Sequence, residues 1–231
     1  MIAGDVARDA RYDRASMSRA TSKLPFQGRL FSVQPRIRLT RSYNESTHSY
    51  LGYVLGLHGT LGSETAPRDV QVGIGKAAQE KHSFQVGDDV KGEAEPVPFP
   101  PAEPCEVFDA SKLEVVERSA NAIHKPPPWH GPAPALTVYR ARGHRRLSAK
   151  TYETKCSSCM WGCRMAVEVI KDNWRPHVGV KWRYETFCYG PKDCAVYVAG
   201  PQRKAPGRRG MVYVEPDWVD EENTRHRGPS E

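Results

Sequence analysis

Five of the six cysteines lie between positions 156 and 194, spaced Cys156-x2-Cys159-x3-Cys163 and then Cys188-x5-Cys194. Cysteines that merely pack scatter along a chain. Metal ligands come in close pairs, because one turn then delivers two thiolates at little cost in chain entropy. Disulfides fit this stretch poorly: an odd number of clustered thiols cannot all pair, and Met1–Pro25 has no apolar core of a secretory signal. The spacing therefore predicts a metal centre. The simplest zinc site takes Cys156 and Cys159 with Cys188 and Cys194. If the first run is helical, Cys156, Cys159 and Cys163 stand at i, i+3 and i+7 on one face. With a fourth thiolate they would then suit a [4Fe–4S] cluster, the alternative cofactor. His144 is a further candidate ligand.

The elements that must position these thiols are short. Cys156-Ser157-Ser158-Cys159 resembles the knuckle of a zinc ribbon, in which small residues let backbone N–H groups face the sulfurs. Val180–Phe187 reads as a strand returning to deliver Cys188. Residues 151–218 hold few aliphatics, so thiolate–metal bonds are expected to supply much of this module's folding energy.

Upstream, the pattern is β. Phe31, Val33, Ile37 and Leu39 alternate with polar residues, and Arg36 and Arg38 fall on the opposite face. Tyr50–Thr60 and Val70–Ile74 follow as strands. Lys76–His82 reads as a helix, Val86–Val90 as a turn into a fourth strand reaching Glu95, and Val107–Val116 as a fifth strand. The glycines at 52, 56 and 59 suit a strongly bent second strand. Three strands, a helix and two strands over 26–118 resemble the OB-fold, a five-stranded barrel. The expected class is thus mainly β (α+β), an OB-like barrel plus a small cysteine-rich metal-binding module. The expected divisions are a disordered tail over 1–25, the barrel over 26–118, a Pro-rich and basic linker over 119–150, the module over 151–218, and a frayed tail over 219–231. Within the linker, Trp129 and His130 are expected to dock on one domain.

The balance of 34 Lys and Arg against 27 Asp and Glu favours a polyanionic partner. Arg140, Arg142, Arg145 and Arg146 precede the module; Arg203, Lys204, Arg208 and Arg209 follow its cysteines. Such segments neutralise phosphates. The OB resemblance implies base stacking on strand aromatics within a basic groove, which nominates Tyr43 and Tyr53 beside Arg36, Arg38 and Arg41. Binding of single-stranded or structured RNA or DNA, without catalysis, is the expected function. An iron–sulfur protein in redox or nucleic-acid processing is one alternative, with Cys163 as a ligand. The other is a partner subunit of an enzyme, as the pairing is similar to acyl-CoA-associated proteins that join a zinc ribbon to an OB-fold, although there the ribbon comes first. No apolar run approaches the length of a membrane span, and a cytoplasmic location is expected. Val72–Ala77 lacks the first glycine and the Ser or Thr of a phosphate-binding loop. Asp217–Glu222 reads as a surface segment.

Overall fold

One long strand, β1 (Leu24–Arg41), organises everything else. The computed structural model describes residues 22–43, 45–119, 126–172 and 180–231, with only the backbone of Arg208. Along β1 the buried aromatic and aliphatic residues are Phe26, Leu30, Val33, Ile37 and Leu39. Their phase changes after Leu30 because Phe31 is an extra residue in the ladder against β2 (Ser46–Leu61). A second irregularity leaves Leu51 of β2 unpaired, next to Gly52 at φ +144°. Only glycine suits that position: a Cβ there would meet Ile74 O at 2.0 Å.

From β2 the sheet runs on to β3 (Arg68–Ile74), which meets β5 (Val107–Glu117) in parallel at Val72 and Val107. β5 is antiparallel to β4 (Asp89–Pro96), and β4 returns to the first residues of β1. These five strands close a ring. Helix α1 (Lys76–His82) lies between β3 and β4, with Gln79 buried and bonded to Phe84 O.

The cysteine region is not a separate module. Its hairpin, β7 (Gly162–Val169) with β8 (Lys181–Cys188), joins the ring's own sheet. Ala166–Val169 pair in parallel with Arg38–Arg41 of β1, and β6 (Arg145–Arg146) adds to β8. The result is an eight-stranded sheet whose main core cluster joins Leu30, Ile37 and Leu57 to Met165, Val167, Phe187 and Tyr189, beside a smaller cluster of Leu147, Cys156, Cys159 and Cys188. The protein is mainly β.

Several expected boundaries are corrected. Leu24 and Pro25 belong to β1, while residues 1–21, the bulk of the expected disordered tail, lie outside the described residues. The linker is extended only in part. Its later half folds as α2 (Leu136–Arg142) and β6, because Tyr139 is buried there and bonds Met160 O. Residues 120–125 lie outside the described residues. After α3 (Ala149–Thr151), the chain passes through one π-helical turn, Tyr152–Cys156. The helix stops there, so Cys159 and Cys163 do not continue one helical face. The expected frayed end instead begins within α4 (Trp218–Thr224), and Arg227 beyond it is buried against Tyr189 O and Gly190 O. Among the described residues, no helix is long and apolar enough to cross a membrane.

Candidate metal centre and basic surface

Cys156, Cys159 and Cys188 are buried together, and Cys194 joins them around one cavity of about 10 Å³. Trp129 and Trp161 complete much of its wall. That space is about one atom's worth. Among the described residues no three His, Cys, Asp or Glu side chains already form a metal-holding group, so the thiols border the cavity without closing on a common point.

The surroundings suit sulfur ligands. Backbone N–H groups of Trp129, Trp161 and Gly162 face the Cys159 sulfur, and Gly190 N–H donates to Cys188 Sγ at 3.4 Å. Burial, reinforced by the neighbouring sulfurs of Cys159, Cys188 and Cys194, pushes the Cys156 thiol up to about 12. Burial also pushes Cys159 up to about 11, against the pull of those N–H groups, and raises Cys188. A bound dication would reverse this preference, since a coordinating thiol is deprotonated outright. The residues fit a single four-coordinate zinc ion.

Cys163 stands apart. It is fully buried on β7, and its Sγ–H donates to Pro35 O at 3.4 Å, where β1 has left β4 and not yet met β7. His144 is also elsewhere, packed against His48, Phe187 and Tyr189.

The knuckle is fastened to the ring by Gln34 of β1. Its amide nitrogen donates to Cys156 O, Ser157 O and Cys159 O at 2.9–3.1 Å, and its Oε1 accepts from Tyr152. On the other side Trp129 O accepts from Met160 N, and His130 bonds Ser158 Oγ, so the expected docking of Trp129 and His130 is onto the knuckle.

Most of the arginines nominated for phosphates are committed inside the fold. Arg36 and Arg38 share Glu103. Arg41 lies between Glu185 and Glu215, and Arg203 also pairs with Glu185. Arg146 is held by Asp217 and Asp220, which gives the acidic segment an internal task. Arg142 and Arg145 donate to the carbonyls of Tyr189, Pro191 and Lys192. Tyr53 is buried with its hydroxyl on Pro134 O.

Four nominated side chains remain at the surface: Tyr43, Arg140, Lys204 and Arg209. Arg140 covers the Tyr50 ring. The other three gather near a two-stranded hairpin of β9 (Lys204–Pro206) and β10 (Val212–Val214). Gly207 N bonds Met211 O across its loop, in which Arg209 and Gly210 take positive φ. All of Met211–Val214 is exposed, and Tyr43 meets Tyr213 edge-on with centroids 6.2 Å apart. Nothing is described of the Arg208 side chain.

Comparison with known proteins finds no family model that matches, no similar curated protein and no similar solved structure.

Sequence reasoning missed Gln34, Tyr213 and Arg227. A glutamine on a strand and an arginine near the chain end carry no local signal of burial. Tyr213 had one: Met211-Val212-Tyr213-Val214 is an apolar β-prone run beside Arg208-Arg209-Gly210.

Proposed function

We propose that this chain is a non-catalytic nucleic-acid-binding protein, built on an OB-like barrel and one structural zinc. The observation that carries the reading is the β9–β10 hairpin. Lys204 and Arg209 form no salt bridge among the described residues, and they sit with exposed Tyr43 and Tyr213 while most other arginines are internally used. Cations that track phosphates beside aromatic faces that stack bases are the elements of single-strand recognition. Ring connectivity, with α1 between β3 and β4, supports the barrel. Cys163 stands outside the four thiols that border the small cavity, so this reading takes those four as the ligands of one zinc.

The test is fluorescence anisotropy with a labelled single-stranded oligonucleotide across a salt series. Affinity is expected to fall steeply with salt, and Arg209→Ala to make that slope shallower. Tyr213→Ala is expected to weaken binding about tenfold, the low end for losing one stacked base. No binding at low salt, or binding indifferent to salt, would overturn the reading.

A further inference from the structure

We propose that Arg142, Arg145 and Arg227 form a charge-balancing shell for a dianionic centre, one divalent metal held by the thiolates of Cys156, Cys159, Cys188 and Cys194. The inference rests on the metal reading above and extends it to residues outside the ligand set.

Three guanidinium groups converge on the four residues that follow Cys188. Arg142 Nε donates to Tyr189 O at 2.8 Å. Arg227 Nη1 donates to Tyr189 O at 3.1 Å and Gly190 O at 3.0 Å, and also to Glu231 O. Arg145 reaches Pro191 O at 2.8 Å and Lys192 O at 3.1 Å, and its charge acts on the Cys188 thiol. Arg142 also lies over Trp161, which lines the cavity, with its guanidinium carbon 4.4 Å from the ring centroid.

Backbone carbonyls satisfy N–H groups but neutralise no charge. Among the described residues no Asp or Glu side chain forms a salt bridge with any of the three. Elsewhere this fold treats buried arginines differently: Arg36, Arg41, Arg146 and Arg203 each have a carboxylate. Buried nitrogens without a hydrogen-bond partner among the described residues occur in both groups, on Arg145 and Arg227 as on Arg41, Arg146 and Arg203, so the contrast lies in the carboxylates. Like charges brought together away from water are costly unless an anion compensates them. Glu231 supplies one carboxylate facing Arg142 and Arg227, which leaves positive charge in excess, and the Cys188 thiol faces the same two arginines. Two positive charges on a metal against four thiolates leave two negative charges, which this cationic shell offsets. Outer-shell partners of this kind tune affinity without touching the metal.

The test uses the full chain. Cobalt(II) reports sulfur ligation through its thiolate charge-transfer and visible bands, and zinc affinity is read by competition with a chelator. Arg145→Met and Arg227→Met keep the aliphatic stem and remove the charge. Each is expected to lose about tenfold in zinc affinity, the low end for outer-shell changes, while Arg145→Lys retains most of it. The same Met variants are expected to lose more stability with metal than without it, because the lost carbonyl bonds count in both states and the lost charge only in the first. Wild-type zinc affinity in the Met variants would overturn the shell and leave the metal reading intact. So would an equal loss of stability with and without metal, which marks a packing role. Absence of thiolate bands in the parent chain would overturn the metal reading, and the shell with it.

Discussion

At the scale of single residues, the charge state of two histidines is set by what they touch. Burial, with the charge of Arg41, lowers His48 to about 4. Burial, with His48 and then Arg41, Arg203 and Arg227, lowers His144 to about 3. Both are therefore neutral in the fold and protonate more readily when it opens. A base with a depressed folded pKa contributes stability that is whole above about pH 6.5, its unfolded value, and is lost as pH falls toward 4 and then 3. Chemical denaturation of metal-free protein should show this loss, with a slope of up to about 1.4 kcal/mol per pH unit for each histidine. His48→Asn should flatten that slope, and an unchanged profile would exclude His48 as a contributor. The residue scale is also where the sequence was easiest to misread. Cysteine spacing nominated five thiols; four of them border one small cavity, and Cys163 lies apart on a strand starting at Gly162. Arginine clusters said nothing of their partners, because Glu103 and Glu185 lie far along the chain from Arg36 and Arg41.

Elements with their own period were legible: α1 spans the expected Lys76–His82, and the five ring strands fall where alternation and glycines put them. The hairpin β9–β10 and strand β6 were not, since two- and three-residue strands have no room for a period of two. Nor could any local pattern show that β1 would serve two partners on one side. At this scale Gln34 is the decisive contact, joining β1 to the cysteine knuckle through carbonyls that have no other side-chain donor among the bonds described. Gln34→Ala should cost about 1 kcal/mol in urea unfolding, because Cys156 O and Cys159 O keep backbone donors while Ser157 O and the Tyr152 hydroxyl lose their partner. Gln34→Glu should cost more, because a carboxylate cannot donate and would face three acceptors. A second junction is Glu185 on β8, which is 3% exposed and binds Arg41, Arg183 and Arg203. Glu185→Ala strands those charges, and a loss of about 3–5 kcal/mol is expected.

For the molecule as a whole, a shared sheet and a shared core mean a shared fate. Ring and cysteine hairpin should unfold in one transition, with far-ultraviolet circular dichroism and Trp fluorescence giving the same midpoint. Two separated midpoints would restore the picture of independent modules. The shared strand also has a meaning in time. Every strand of the ring leaves the ribosome before Gly162 does, so the last residues of β1 wait as an open edge until β7 is made. Open edges invite other chains, and charge is the usual protection. Arg36, Arg38 and Arg41 punctuate that edge, and Arg41 acquires both its carboxylates, Glu185 and Glu215, only later in synthesis. An arginine that ends as an internal counter-ion thus begins as a guard on a nascent chain.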